Sequence, residues 1–331
     1  MKILIEQGKI GSIAEDEDSE ILLNFQSSTL NFQLSFPDAI IFPGLINSHD
    51  HLDFNSFPQL GNRIYNNYVE WGEDIHRHNK DVIDSVLKIP EQLRIEWGIY
   101  KNLLNGITTV VNHGPKLTVE NNLITVLQRS HSLHSVVNEK NWRYKLNMPF
   151  IKKELFTIHI GEGTDHAAEK EINTLIKWNL FNRELIGIHA VAMNEKKAAK
   201  FKAIVWCPDS NYFLLGRTTA IDILKHQTKI LFGSDSTVSS NWNFWDHLRL
   251  ARKEKMVTDI ELLAMLTNVP ANVWGVQNCG VIAKDYDADI VIARRKAGLK
   301  DTDAFFELNP EDILMVIHKG CLLYTSDAAD E

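Results

Sequence analysis

Cysteine is scarce in this chain. Three occur in 331 residues, Cys207, Cys279 and Cys321, and no two of them form a CxxC pair. That disfavours a disulfide framework and a thiolate zinc site, and makes a reducing cytoplasm the expected compartment. Long apolar runs are missing as well. No stretch approaches the roughly 20 apolar residues that cross a bilayer. The opening MKILIEQGKIG offers only Ile3, Leu4 and Ile5 behind Lys2, too few for a signal-peptide core. Positive charge is in deficit: 35 Lys and Arg face 43 Asp and Glu, a net charge of −8. With no basic cluster, neither nucleic acid nor a membrane is an expected partner. What remains is the composition of an ordinary globular protein, 44% hydrophobic and 24% charged. It is long enough for one large α/β barrel or two domains.

The order of textures along the chain narrows this. Residues 1–41 read as short strands and turns: KILIEQGKIGSI, EILLNF and LNFQLSF. From Phe42 to residue 275 apolar strands alternate with amphipathic helices. Pro90 and Gly106 bracket a helix in PEQLRIEWGIYKNLLNG. Thr164 or Asp165 opens another, and Thr258 with Glu261 forms a capping box. Residues 276–320 return to short strands. The simplest architecture is a barrel-type core whose two β-rich flanks combine into one small β domain. Strands at ITTVVN and LFTIHI are too close for the regular βα spacing of a barrel, about 30 residues per unit. The wall is therefore compressed between its second and fifth strands, and the third and fourth are not located. The final CLLYTSDAADE, residues 321–331, resembles the translation of a sequencing adapter and is excluded as non-native. Ile313–Ile317 is then expected to be an unpaired sheet edge.

The stretch FPGLINSHDHLDF carries the first chemical signal. In an extended chain His49 and His51 point to one side, so they could hold one ion between them. Alone, the pair reads as readily as two loop histidines. Four more residues stand at or just past predicted strand ends: His159 and Glu162 in HIGEG, His189 in GIHAV, and Asp235 in FGSDS. Barrel enzymes keep their active sites at that end of the strands. Neutral imidazoles with a carboxylate suit Zn(II) or Fe(II).

The ordered set PGLINSHDHL, GITTVVNHG, HIGEG, GIHAV, WCPDSNYFLLGRT and FGSDS resembles the amidohydrolase superfamily. The resemblance is to the branch of cytosine deaminase, guanine deaminase and triazine hydrolases, and it covers nearly the whole chain to Gly320. It implies a (β/α)8 TIM-like barrel with a small β-sandwich built from both termini. It also implies that His49, His51, His159 and Asp235 bind one divalent metal, Zn(II) ahead of Fe(II). Glu162 would be the proton shuttle, Asp235 would take the proton of the attacking water, and His189 would orient that water by donating to its oxygen. No lysine stands where the superfamily's binuclear members place a carbamylated bridge, which favours a single metal. The HExxH of metalloproteases and the PCxxC of zinc cytidine deaminases are absent.

The implied activity is hydrolysis of a non-peptide C–N bond of a small molecule, deamination of an amine-bearing heterocycle foremost. The alternatives are hydrolysis of a cyclic amide or a ring C–Cl bond, and a metal-free binding homologue. A homo-oligomer stays open. Arg63, Tyr65, Asn67 and Trp71, in an aromatic Ω-like loop after the HxH, are candidate walls of the substrate pocket. Ser210 and Asn211 are candidate substrate contacts. His113 is left outside the ligand set. His76, His78, His131 and His134 are assigned to surface or loop, and Trp242, Trp245 and His247 to helix packing.

Overall fold

The computed structural model describes residues 2–14, 19–24, 31–120, 123–148 and 154–325. Residues 326–331 of the excluded tail lie outside them. The β-rich start forms β1 (Lys2–Glu6), β2 (Lys9–Ala14), β3 (Ser19–Asn24), β4 (Asn31–Phe36) and β5 (Ala39–Pro43). The first four make one sheet in the order β2-β1-β3-β4, with Ile3 and Ile5 on the buried face of β1.

Parallel strands follow, as the alternating texture predicts. They are β6 (Leu45–Asp50), β7 (Ile107–Asn112), β8 (Thr125–Leu127), β9 (His131–Leu133), β10 (Phe156–Ile160), β11 (Leu185–His189), β12 (Ala203–Trp206) and β13 (Lys229–Phe232). β6-β7-β8 form one parallel sheet and β9-β10-β11-β12-β13 another. β6, β7, β10 and β11 are buried throughout, as expected of parallel strands covered on both faces. The chain is an α/β protein.

The two strands that the sequence did not locate are β8 and β9. Each is three residues long, and only Gln128–Ser130 separates them. Among the described residues no helix intervenes on either side of β8, and a five-residue helix, Trp142–Leu146, stands between β9 and β10. The described stretch between ITTVVN and LFTIHI is thus poor in helix. Strands this short carry no readable periodicity.

The chain ends in β14 (Ile290–Arg294), β15 (Ile313–His318) and β16 (Cys321–Thr325), which join β5 in a sheet ordered β16-β15-β14-β5. Two expectations change here. β5 runs to Pro43 and pairs with β14, so the step into the parallel strands comes after residue 43 rather than at 42. Ile313–Ile317 is no edge: β15 is hydrogen-bonded to β14 on one side and to β16 on the other. Cys321–Thr325, expected to lack strand pairing, supplies that partner. Ile3, Ile5 and Ile10 pack with Ile290, Ile292 and Ile317, so the mixed sheet β2-β1-β3-β4 and the antiparallel sheet β16-β15-β14-β5 share a core.

The helices start where side chains can cap them. Asp165 accepts from the Ala168 N–H at 3.0 Å, and Thr258 and Glu261 cap each other reciprocally. Asn67 accepts from the Glu70 N–H at 3.0 Å and opens the helix Tyr68–His78. The region read as an Ω-like loop is therefore helical from Tyr68. No helix among the described residues is long and apolar enough to cross a membrane.

Candidate metal centre

β6 carries His49, and His51 follows it in extended backbone, so the two point to one side and Asp50 to the other. His159 ends its segment of β10 one residue before the terminus, His189 closes β11, and Asp235 lies just past β13. Their nitrogen and oxygen atoms converge. His159 Nε2 lies 3.3 Å from both His49 Nε2 and His51 Nε2. Asp235 Oδ1 is 3.5 Å from His49 Nε2 and 3.8 Å from His51 Nε2. Ligands about 2.0–2.1 Å from a shared tetrahedral zinc ion lie about 3.3–3.4 Å apart. The spacing of the histidines fits such an ion.

The tautomers fit as well. His159 Nδ1 faces the carbonyl of His134 at 3.0 Å and donates to it, leaving a lone pair on Nε2. Burial, with His113 and His49 next, holds the imidazole of His159 well below the usual histidine pKa. Burial and the neighbouring His49 push His51 down to about 3. Unprotonated rings whose lone pairs meet at 3.3 Å are what a cation site requires. His49 differs in one respect, since its buried Nδ1 has no hydrogen-bond partner among the described residues.

Asp235 is held by four neighbours. Ser210 Oγ and Ser239 Oγ donate to Oδ2 at 2.8 and 2.9 Å, the Ser236 N–H donates to Oδ1, and its own N–H donates to the His49 carbonyl. Burial raises its pKa, but the neighbouring His49, His189 and His51 outweigh that and keep the carboxyl well below its ordinary value. His189 and Asp235 both sit at positive φ, 66° and 60°, a conformation that non-glycine residues seldom adopt. Gly233 lets β13 approach β6, because a Cβ there would lie 2.7 Å from His49 Cβ. Gly161, at φ +61°, makes the turn from His159 to Glu162.

A chain of hydrogen bonds fixes the sense of His189. Trp206 Nε1–H can only donate, and it donates to Thr218 Oγ1. Thr219 Oγ1 donates to the His189 carbonyl. Both threonine oxygens therefore accept from Asn211 Nδ2, which turns Asn211 Oδ1 toward His189 Nδ1 at 2.9 Å. His189 Nδ1 carries the proton and Nε2 is bare. Burial brings its pKa down to about 4. The expectation that His189 donates to a water is thereby reversed, for Nε2 can only accept. Its neighbours are Glu162 Oε1 at 3.6 Å and Asp235 Oδ2 at 3.8 Å, too long for direct hydrogen bonds.

Glu162 is buried, and desolvation, then Asp235 and Glu171, push its carboxyl well above the usual range. Its carboxyl therefore holds a proton to higher pH than an exposed glutamate does. Behind it lies Glu171, which accepts from Tyr68 Oη at 2.7 Å and from the Gly161 N–H at 3.3 Å. Burial raises the Glu171 pKa from 4.5 to about 7 against those hydrogen bonds. Between these values the folded state keeps a proton that the unfolded chain releases. The stability this group contributes is thus complete below pH 4.5 and lost as pH rises through about 7. Urea midpoints at pH 5 and pH 8 should differ less in Glu171→Gln than in the wild type, by at most about 3 kcal/mol at 1.36 kcal/mol per pKa unit. Equal slopes in the two proteins would remove Glu171 from this account.

The other candidate residues separate. Trp71 lines the cavity in front of the site, and its Nε1 donates to the Leu60 carbonyl. Arg63 does not line it: the side chain is 47% exposed and pairs with Glu70 and Asp74. Tyr65 is buried, with its hydroxyl on Asp74. Asn67 is the helix cap. Ser210 and Asn211, expected to touch substrate, instead hold Asp235 and His189. The His113 ring packs 4.3 Å from the His159 ring, but its nitrogens do not join the converging ligand atoms. His134, assigned to the surface, lines the cavity, and so does His76 at its rim. Trp245 and His247 are buried in helix packing as expected, whereas Trp242 is 44% exposed.

Two residues behind the site had no signal in the sequence. Lys101, on the helix Glu91–Leu104, is 2% exposed and its Nζ lies 3.1 Å from Asp50 Oδ2. The same Nζ reaches Asn55 Oδ1 at 2.8 Å and the Asp235 carbonyl at 3.3 Å. Asn102, Asn55 and Asn47 supply the remaining donors to Asp50. The residue between the two histidines thus anchors β6 to that helix and to the end of β13.

Comparison with known proteins bears on what this arrangement is. The chain is 23% identical to a 5-methylthioadenosine/S-adenosylhomocysteine deaminase of Caldicellulosiruptor saccharolyticus, over 97% of this chain and 88% of that protein. Its fold is similar to guanine deaminase from C. acetobutylicum with bound guanine, at TM-score 0.66 and 15% identity, covering 97% and 94% of the two chains. It is also similar to the zinc complex of atrazine chlorohydrolase from Arthrobacter aurescens TC1, at TM-score 0.66 and 20% identity, covering 98% and 90%. The Amidohydrolase family matches residues 152–323, just over half of the chain, and that span includes His159, Glu162, His189 and Asp235. On this match the chain belongs to the amidohydrolase family.

Proposed function

We propose that this protein is a metal-dependent hydrolase that deaminates an amine-bearing heterocycle. The observation that carries the reading is the convergence of His49, His51, His159 and Asp235 opposite a buried, neutral Glu162. These four would hold one divalent ion, Zn(II) ahead of Fe(II). Such an ion lowers the pKa of a water toward about 7 and so supplies a nucleophile at neutral pH. Asp235, kept ionised and oriented by Ser210 and Ser239, accepts the proton of the attacking water. His189 Nε2 accepts its second O–H and aims the oxygen at the ring carbon. Glu162 delivers a proton to the departing amine, the step that its raised pKa suits. The names of two of the three relatives above, a 5-methylthioadenosine/S-adenosylhomocysteine deaminase and a guanine deaminase, support this class.

The same reading takes the two parallel sheets as the wall of one (β/α)8 barrel spanning about residues 42–275, with β13 returning beside β6. The hydrogen bond from Asp235 N–H to the His49 carbonyl supports that closure. The sheets at the two ends of the chain are read as one β-sandwich, residues 1–41 and 276–320, supported by their shared isoleucine core. Three free cysteines suit a cytoplasmic setting.

Elemental analysis after metal-replete expression should find about one equivalent of zinc or iron per chain, the single-ion stoichiometry of a four-ligand site. His159→Ala should lower it. Ammonia release should occur from at least one member of a panel of purines, pyrimidines, triazines and pterins. Metal-free protein, or no ammonia from any of them, would set the reading aside. Chloride release alone would replace deamination by C–Cl hydrolysis.

A further inference from the structure

The cavity in front of Glu162 and Asp235 has a volume of about 690 Å3 and extends well past the polar groups. One part of its lining holds the chemistry: His51, His159, Glu162, His189 and Asp235. The rest is largely of another character, with Phe54, Leu60, Val69, Ile83, Leu87 and Val238, of which Leu60, Ile83 and Val238 pack in one apolar cluster. Val69 lies on the helix Tyr68–His78, Ile83 and Leu87 on the helix Lys80–Leu87. Among the described lining residues there is no lysine or arginine. Arg63 is turned to Glu70 and Asp74, and Arg77, Lys80 and Lys88, on or beside these two helices, are exposed and do not line the cavity. Of the ionisable side chains toward the opening, Glu73 adds negative charge, and His76 is exposed. An anionic substituent entering this space would lose its hydration without gaining a counter-charge, whereas an apolar one would gain by leaving water.

From this division of the cavity we infer that the substrate is an uncharged amine-bearing heterocycle carrying an apolar appendage of several carbons, seated along the two helices. Phosphorylated and carboxylated counterparts are rejected. The inference rests on the deamination reading for the ring and adds the class of its substituent. Each methylene fully buried there should raise affinity about fourfold.

The test uses zinc-loaded protein and adenines substituted at N9 with methyl, hexyl or 5-carboxypentyl groups. Binding is measured by calorimetry, and turnover separately by ammonia release. The hexyl compound should bind at least about tenfold tighter than the methyl compound, with the gain lost in the carboxypentyl compound. Leu87→Glu, a half-exposed position, should weaken hexyl binding about tenfold or more, from a lost apolar contact and an added charge, with zinc content unchanged. Hexyl preference without ammonia release would uphold the apolar subsite and count against deamination of this ring. Carboxypentyl binding equal to hexyl, an indifferent Leu87→Glu, or failure of all three to bind would overturn the inference.

Discussion

Glu162→Gln should retain its metal and lose turnover by a factor of about 10²–10⁴, the usual contribution of a positioned general acid. The reason lies in what changes. Gln keeps the volume and a carbonyl oxygen, and every candidate metal ligand stays in place, yet the amide has no proton to deliver to the leaving nitrogen. Because burial raises the Glu162 carboxyl pKa, the active protonated form persists above the normal carboxylate range. Activity in the wild type should fall as pH rises through that elevated value. His159→Ala provides the contrast, since it should lose metal and activity together. Wild-type turnover in Glu162→Gln would remove Glu162 from the mechanism, whatever the metal content.

Lys101→Met should be the most destabilising single change near the site, costing about 3–5 kcal/mol, because it strands the buried Asp50 carboxylate. A half-buried lysine on an ordinary helix would cost far less. Here Nζ is shared among Asp50, Asn55 and the Asp235 carbonyl, so its loss also frees the segment that presents Asp235. Metal affinity should drop although Lys101 touches no ion. Adding Asp50→Asn removes the unpaired charge. The double variant should therefore be more stable than the sum of the two single losses predicts, by about 1 kcal/mol or more. Strict additivity in that cycle would mean that the pair is incidental.

Much of the site can be read from the chain alone, and the reason is local periodicity. Alternation of side chains along a strand puts His49 and His51 on one side whatever else the protein does. Strand ends are recognisable from apolar runs, and so His159, His189 and Asp235 were found one by one. Helix starts at Asp165 and Thr258 follow from the bonding of a cap to its own first turn. The family resemblance then joined pieces that no short stretch relates.

What only the tertiary structure decided involves residues distant in sequence. Lys101 sits in a helix pattern that would suit an exposed lysine; its burial depends on Asp50, 51 positions earlier. Asn211 and Ser210 stand where substrate contacts were expected, but packing turned them toward His189 and Asp235, and that set the proton on His189 Nδ1. Glu171 looks like a surface acid until Tyr68 covers it. β8 and β9 are too short to show a period, and β15 acquired its outer partner from residues the sequence reading discarded. The apolar part of the cavity lining combines residues from positions 54 to 238, which only the fold brings together. Local sequence sets the direction in which a side chain leaves the backbone. The partner it meets there depends on long-range packing, and with it the charge state, the burial and the chemistry.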